Sequence, residues 1–222
     1  MVVAIDGPAG AGKSTIARRI AERLGFLYVD TGAMYRAVAL ESVRLGIHEH
    51  QEEELARLAQ DVPIELRDGA VFVHGVDSSE AIRSPAIAAA ASRVAAIPGV
   101  RRAMVETQRR LAATSPVVME GRDIGSVVFP DADVKIFLDA DPGVRAGRRR
   151  QELERAGETP QADEVALEIA ERDRRDRGRA ESPLIRAPGA FYIDSSGLSQ
   201  EQVEEIILDQ IALAAQERIS TQ

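Results

Sequence analysis

Short apolar runs and longer stretches with helical periodicity alternate along most of the chain. The apolar runs predict β-strands at Val2–Ile5, Leu27–Asp30, Val117–Met119, Val134–Leu138 and Phe191–Asp194. Apolar positions at helical spacing predict helices over residues 13–24, 32–45, 99–113, 142–155, 161–177 and 199–216. This alternation is typical of an α/β fold in which helices flank a parallel sheet.

Residues 62–83 interrupt this alternation. Apolar and polar positions alternate on both sides of Asp68-Gly69, which is a strong signal for a β-hairpin. We therefore predict a small antiparallel subdomain over residues 50–95, inserted into a main domain formed by residues 1–49 and 96–222. The alternative is that the hairpin extends the main sheet.

Composition excludes several classes of protein. The net charge of −8 argues against general nucleic-acid binding, and the absence of cysteine excludes disulfides and thiolate metal sites. His48, His50 and His74 lack metal-ligand spacing and are expected at the surface. Without a basic leader or a long apolar segment, the chain is expected to be cytoplasmic and without a membrane anchor.

The segment between the first strand and the first helix, IDGPAGAGKST, carries the most specific motif. Gly7, Gly12, Lys13 and Ser14 complete the pattern G-x-x-x-x-G-K-[ST], in which backbone N–H groups and a helix N-terminus bind phosphate. The lysine contacts the β- and γ-phosphates, and the Ser14 hydroxyl ligates Mg²⁺. We predict that ATP and Mg²⁺ bind at Gly7, Pro8, Ala9, Gly10, Ala11, Gly12, Lys13, Ser14 and Thr15.

Lysine at this position stands out because nearly every other basic residue is arginine. Lys135 is the only other lysine in the sequence. A GTPase switch would need an N-K-x-D element, which a chain without asparagine cannot contain. A small-molecule kinase would instead need a second, arginine-rich pocket for a phosphorylated or polar acceptor.

Four stretches supply residues for such a pocket. DTGAMYRAV contains Thr31, a potential cap of the next helix, and Arg36; SRVAAIPGVR contains Ser92 and Arg101. EGRDIG, at residues 120–125, follows an apolar strand, where open α/β sheets bind ligands. ERDRRDRGR places Arg172, Asp176 and Arg179 on one helical face. Each stretch also has a purely structural interpretation: a helix cap, a small residue in an alanine-rich segment, a surface turn and a solvated helix with ion pairs.

The segments IDGPAGAGKST, DTGAMYR, AAASRVAAIPGVR, EGRDIGSVVFPDADVKIFLDA and ERDRRDRGRAESPL together resemble the bacterial cytidylate kinases. These are P-loop nucleoside monophosphate kinases. The resemblance spans nearly the whole chain. It implies a P-loop kinase core, an acceptor-binding domain enlarged by a small antiparallel sheet, and a mobile helical lid at about residues 142–160.

The resemblance also implies roles for individual residues. The cytosine base would be read by Ser92, Arg101 and Asp123. The sugar would be contacted by Arg172 and Asp176. The acceptor phosphate would be held by Arg36, Arg122 and Arg179. Thr31 stands where some members have serine, and Glu120 where some have aspartate, which leaves the role of Glu120 open. The lid contains Arg145, Arg148 and Arg149. The implied catalytic set is Lys13, Arg122, Arg148 and Arg179.

We therefore expect transfer of phosphate from ATP to CMP or dCMP in pyrimidine metabolism, by a monomer that binds only small molecules. Asp123 can accept a hydrogen bond from the cytosine amine but would face the uracil carbonyl unfavourably. The alternatives are a kinase for another small acceptor, such as another nucleotide or shikimate, and a nucleotide-dependent switch.

Overall fold

The computed structural model describes residues 1–67, 69–155 and 157–220, without the side chains of residues 219 and 220. In chain order, the strands are β1 (Val2–Asp6), β2 (Leu27–Asp30), β3 (Ile64–Arg67), β4 (Ala70–Val73), β5 (Val76–Asp77), β6 (Val117–Gly121), β7 (Val134–Asp139) and β8 (Phe191–Asp194). The helices are α1 (Lys13–Leu24), α2 (Thr31–Leu45), α3 (Glu52–Asp61), α4 (Pro85–Val94), α5 (Pro98–Ala112), α6 (Pro142–Arg155), α7 (Ala162–Arg177) and α8 (Gln200–Ser220).

The chain divides into two compact units. The first contains Met1–Tyr28 and Pro116–Gln222, and the second contains Val29–Ser115. The second unit includes the predicted insertion but extends beyond it at both ends, because α2 packs against α4 and α5 packs against α3. Its boundaries therefore differ from the predicted limits of residues 50 and 95.

The first unit is built on a five-stranded sheet with the order β2-β6-β1-β7-β8. β1 pairs in parallel with β6 and β7, and β7 pairs in parallel with β8. This confirms the predicted parallel α/β sheet. The carboxyl ends of β1, β6 and β7 consequently lie at one edge, where the loop after β1 carries residues 7–12 of the predicted phosphate site and the loop after β6 carries Arg122 and Asp123.

The main hydrophobic core joins this sheet to α1 and α8. It includes Ile5 of β1, Ile20 of α1, Leu138 of β7 and Ile207 of α8, all fully buried. A smaller cluster of Leu153, Val165 and Ile169 packs α6 against α7. The packing of α1 and α8 against the strands anchors the sheet from which the loops emerge.

The second unit contains a separate three-stranded antiparallel sheet with the order β3-β4-β5. The hairpin is therefore confirmed, and the alternative that it extends the main sheet is wrong. Asp68 of the predicted turn lies outside the described residues. Helices α3 and α4 are not among the predicted elements; α4 begins at Pro85, and the Ser84 hydroxyl accepts from the Ile87 amide at 3.4 Å.

The predicted strands of the main sheet are all present, with β2 and β8 at the predicted bounds. β1, β6 and β7 each extend further toward the carboxyl end than predicted, so Glu120 lies within β6 rather than in the loop after it. His48, His50 and His74 are exposed, as predicted. Within the described ranges, no helix has both the length and the apolar character required to cross a bilayer.

Candidate active site

The predicted phosphate loop connects β1 to α1 and depends on glycine for close backbone contacts. A Cβ on Gly7 would lie 1.9 Å from the Leu138 carbonyl oxygen of β7. Gly10 has a φ of +74°, and its Cβ would lie 2.8 Å from the Arg145 carbonyl oxygen of α6. Side chains at these positions would displace the loop. The N-terminus of α1 follows Gly12, which has no side chain to cap the first amides, so their N–H groups are available to an anion.

Lys13 is buried within this loop, where its Nζ donates to the Pro8 carbonyl oxygen at 2.7 Å. Burial lowers the pKa of Lys13 to about 7; the positive charges of Arg122 and Arg172 act in the same direction, while Glu120 and Asp6 oppose them. A triphosphate would supply the negative charge that favours the protonated amine. Ser14 and Thr15, in contrast, are exposed.

Asp6, the last residue of β1, connects the phosphate loop to the segment after β6. Its Oδ1 accepts from the Ile124 amide at 2.8 Å, and its Oδ2 accepts from the Gly125 amide at 2.7 Å. Burial raises the pKa of the Asp6 carboxyl to about 7, despite these two hydrogen bonds. The segment that it holds follows directly on Arg122 and on the buried, predicted base-reading residue Asp123.

Three predicted acceptor residues of the first unit are joined in one ion-pair cluster. Arg122 Nε donates to Asp176 Oδ2 at 2.9 Å, and Arg179 Nη2 donates to Asp176 Oδ1. Burial disfavours the charged form of Asp176, but the guanidinium groups of Arg122, Arg179 and Arg172 outweigh this effect and hold its pKa below the usual carboxyl range. The structure thus brings together two predicted phosphate ligands and a predicted sugar ligand.

The expectation that Arg172, Asp176 and Arg179 share one helical face is wrong in one respect. α7 ends at Arg177 and is followed by Gly178, so Arg179 lies beyond the helix. It still contacts Asp176 because the chain turns back after the helix, where the Leu184 amide donates to the Asp176 carbonyl oxygen at 2.8 Å. Glu120, whose role the sequence leaves open, is buried and accepts from the Tyr28 hydroxyl at 3.2 Å.

Two arginines of the predicted lid bind the phosphate loop directly. Arg148 Nη1 donates to the Ala11 carbonyl oxygen at 3.3 Å and to Ser195 Oγ at 3.0 Å. The buried Arg145 donates through Nη1 to the Ala9 carbonyl oxygen at 3.1 Å and to Asp173 Oδ2 at 2.6 Å. Arg149 instead pairs with Glu152 at the surface, at 3.3 Å. Arg145 and Arg148 therefore hold α6 against the loop.

In the second unit, Asp30 rather than Thr31 caps α2, so the predicted capping role of Thr31 is wrong. Asp30 has the extended backbone of a cap, and its Oδ1 accepts from the Ala33 amide at 2.9 Å; Thr31 is the first helical residue and is buried. Asp30 Oδ2 also accepts from Arg36 Nη2 at 2.9 Å. The cap thereby orients a predicted phosphate ligand.

Ser92 and Arg101 lie on α4 and α5 of the same unit, and both are buried. Ser92 Oγ has no hydrogen-bond partner among the described residues. Arg101 Nη1 donates to the Ala95 carbonyl oxygen at 3.1 Å, and its guanidinium carbon lies 5.3 Å from the centre of the Tyr35 ring. A buried hydroxyl with no protein partner is the feature expected of a ligand-binding position.

Several residues that shape these contacts are not among the predicted site residues. They are Asp6, Asp30, Asp173 and Ser195. The position of Asp6 could have been recognised from the sequence, because it is a carboxylate at the end of an apolar strand and directly precedes a phosphate-loop glycine. Asp173 and Ser195 carried no such signal, because their partners are distant in the sequence.

The parallel sheet, the glycine-dependent loop after β1 and the buried Lys13 define a P-loop nucleotide-binding enzyme. In fold alone, the chain is similar to a crystal structure of an uncharacterized protein from Eubacterium ventriosum, with a TM-score of 0.56 and 12% identity over 96% of this chain and 98% of that one.

Sequence comparison identifies the family within this class. The family model described as "Cytidylate kinase" matches residues 3–213, and the chain belongs to the cytidylate kinase family. A cytidylate kinase of Solibacter usitatus is 54% identical over 210 residues, which cover 94% of this chain and 90% of that protein. A cytidylate kinase of Pelotomaculum thermopropionicum is 49% identical over 220 residues, with 97% of each chain covered.

Proposed function

We propose that the protein transfers the γ-phosphoryl group of ATP to CMP or dCMP and releases ADP and CDP or dCDP. The observation that carries this proposal is the match to the cytidylate kinase family along residues 3–213. The buried Lys13 and the Arg122–Asp176–Arg179 cluster support it, because they supply charged groups suited to two phosphorylated substrates. This activity belongs to pyrimidine nucleotide metabolism.

On the donor side, we infer that the amides of residues 7–15 and the Lys13 amine bind the phosphates of ATP. The exposed Ser14 hydroxyl, at the start of α1, fits a Mg²⁺ ligand. Among the described residues, no group of three or more His, Asp or Glu side chains is arranged to hold a metal ion. Magnesium bound in this way supplies charge neutralisation at the β- and γ-phosphates.

On the acceptor side, we assign the phosphate to Arg36, Arg122 and Arg179, the sugar to Arg172 and Asp176, and the base to Ser92, Arg101 and Asp123. Thr31 is assigned to the same pocket. Because Asp176 already binds Arg122 and Arg179, it orients both guanidinium groups before the acceptor phosphate binds, and the ordering cost on binding is smaller.

The chemistry needs no general base. An oxygen of the acceptor 5′-phosphate is already ionised; it forms the new bond to the γ-phosphorus as the bond to the β–γ bridging oxygen breaks, and ADP leaves with that electron pair. The protein aligns two like-charged phosphates and stabilises charge on the transferring group, roles suited to Lys13, Arg122, Arg148 and Arg179. Closure of the lid, at about residues 142–160, would exclude water and limit ATP hydrolysis.

The test is ADP release from ATP and Mg²⁺ with CMP, dCMP, UMP, AMP, GMP or shikimate as single acceptors. We expect CMP and dCMP to give the highest kcat/KM. Replacement of Asp123 by alanine should remove most of the preference for CMP over UMP, whereas Asp131→Ala, at an exposed carboxylate, should leave it unchanged. Preference for another acceptor contradicts the assigned substrate, and nucleotide binding without acceptor-dependent turnover contradicts a kinase.

We further propose that the enzyme is a monomer that acts in the cytoplasm. Sedimentation velocity at micromolar concentration tests this, and a dimer would contradict it.

A further inference from the structure

The Asp6 side chain makes two short hydrogen bonds to consecutive backbone amides on a neighbouring strand's loop. It is buried, and each carboxylate oxygen accepts from a different amide, that of Ile124 at 2.8 Å and that of Gly125 at 2.7 Å. A carboxylate bound by two amides fixes both the position and the orientation of the peptide that it contacts. Asp6 also precedes Gly7 directly, so any movement of this carboxylate is coupled to the start of the phosphate loop.

The segment held by Asp6 is constrained on its other sides as well. The Asp123 carbonyl oxygen accepts from the Val127 and Val128 amides at 2.9 and 3.2 Å, which closes a tight turn. A Cβ on Gly125 would lie 3.1 Å from Lys135 Cγ and 3.4 Å from Asp6 Oδ2, so little room remains for the segment to shift. Asp6 is thus the polar anchor of a peptide whose preceding residues are Arg122 and Asp123.

A buried carboxylate is a costly way to satisfy two amides if packing is its only role. Its charged form is disfavoured by burial, and Asp123 adds like-charge repulsion. An asparagine could satisfy one amide through its oxygen, but its NH₂ group would face the second N–H donor. The carboxylate is the side chain that can hold both amides at once.

We propose that Asp6 is a positioning residue for acceptor recognition, which holds the Arg122–Asp123 segment in register with the phosphate loop. This inference rests on the proposed function, in which Asp123 reads the base and Arg122 binds the acceptor phosphate. In this assignment, Asp6 acts through the segment that it holds and not through contact with a substrate. Asp6 fixes the distance between the phosphate loop and the residues Arg122 and Asp123, which orient the acceptor.

The experiment compares Asp6→Asn with the wild type for kcat and KM toward CMP, UMP and ATP. We expect the CMP-over-UMP preference to fall about tenfold and the KM for CMP to rise by a similar factor, because one of the two hydrogen bonds is lost and the segment shifts. The KM for ATP should change by less than about threefold.

Asp133→Asn is the matched control. Asp133 Oδ2 also accepts a hydrogen bond from a backbone amide of β1, that of Val2 at 2.6 Å, at the opposite end of the strand from the phosphate loop. The Asp133→Asn variant should leave both the CMP preference and the KM for CMP unchanged. If Asp6→Asn folds poorly, Asp6→Glu retains both acceptor oxygens but is one methylene longer, and it should also reduce the preference.

The outcomes separate the inference from the function on which it rests. If the wild type does not prefer CMP, the proposed function itself is wrong. If the wild type prefers CMP and both Asp6 variants keep that preference, or lose activity equally with every acceptor, Asp6 does not position the acceptor segment.

Discussion

The two units of the molecule hold their candidate site residues in different ways. In the first unit, Asp6, Arg145 and Asp176 are each bound by two or more buried or half-buried partners, and these bonds connect the phosphate loop, the segment after β6 and α7. In the second unit, Arg36 is likewise paired with Asp30, whereas Ser92 of α4 has a buried hydroxyl with no hydrogen-bond partner among the described residues.

This difference indicates different relations to the ligand. A site whose charged groups are already paired requires little reorganisation when a phosphate binds. Buried polar atoms without partners lower the stability of the free protein and recover that free energy only when a ligand supplies the missing bond. We therefore expect the loss of a paired charge in the Asp176 cluster to affect stability and transfer together, and the loss of the Ser92 hydroxyl to affect acceptor binding alone.

The largest expected effect is that of Lys13→Ala on phosphoryl transfer. Because Lys13 is the buried cation of the phosphate loop, its loss should lower kcat/KM by about 10³-fold or more. ADP release with ATP and CMP measures this. Lys135→Arg, which replaces the only other lysine of the sequence and keeps its charge and the methylene groups beside Gly125, should stay close to wild type; the Lys135 Nζ donates to the Pro130 carbonyl oxygen. Similar losses in both variants would contradict the assignment.

Asp176→Asn tests whether the first unit depends on its paired charges for stability. The change removes the carboxylate that the Arg122 and Arg179 guanidinium groups share, and should lower the free energy of unfolding by about 3–5 kcal/mol. Because the pKa of Asp176 is lowered, its stabilising contribution is present above the ordinary carboxyl pKa and is lost as the pH falls through the lowered value.

Urea denaturation at neutral pH, and again under acidic conditions, measures both effects. Glu152→Gln, which removes an exposed partner of Arg149, is the control and should cost less than about 1 kcal/mol. Equal costs for the two variants would show that the buried cluster contributes no more than a surface pair.

The features that the sequence predicted correctly depend on short-range patterns. β2 and β8 have the predicted bounds, and α1 begins at Lys13, because apolar runs and the glycine motif act within a few residues. The hairpin follows from local alternation in the same way. The site residues were proposed from motifs and from resemblance to a family, and their contacts with substrates stay predictions.

The features that could not be predicted depend on contacts between distant parts of the chain. Asp6 and Ile124 are 118 positions apart, and Arg145 and Ala9 are 136 apart. No local pattern indicates which of the chain's many carboxylates and arginines will meet. Within the second unit, the cap of α2 fell to Asp30 because the strand ends there with extended backbone, which shifted the helix start to Thr31.

Ser92→Ala tests the second unit. Loss of one hydrogen bond to the base should raise the KM for CMP about tenfold and leave the KM for ATP unchanged. The melting temperature should stay the same or rise, because the variant removes a buried hydroxyl with no protein partner. Ser42→Ala is the matched control: Ser42 is buried in the same unit, but its Oγ donates to the Ala39 carbonyl oxygen at 2.8 Å, and its loss should not change the KM for CMP. A fall in stability without a change in KM would show that Ser92 has a packing role.

The smallest expected effect is the uptake of less than one proton for each nucleotide bound. It tests whether Lys13 already carries its positive charge before the nucleotide binds. With a pKa of about 7, Lys13 is largely neutral in the free protein at about pH 8, and the phosphates of MgATP should favour its charged form. Binding should therefore take up protons, and affinity should weaken as the pH rises above 7.

Calorimetric titration without acceptor, in buffers of different ionisation enthalpy, measures the uptake. Asp6→Asn is the control: it removes the Asp6 carboxyl, whose pKa is also about 7, and the proton uptake on binding should remain. A binding heat independent of the buffer would mean that Lys13 is already charged, and that the first unit is prepared for phosphate in charge as well as in shape.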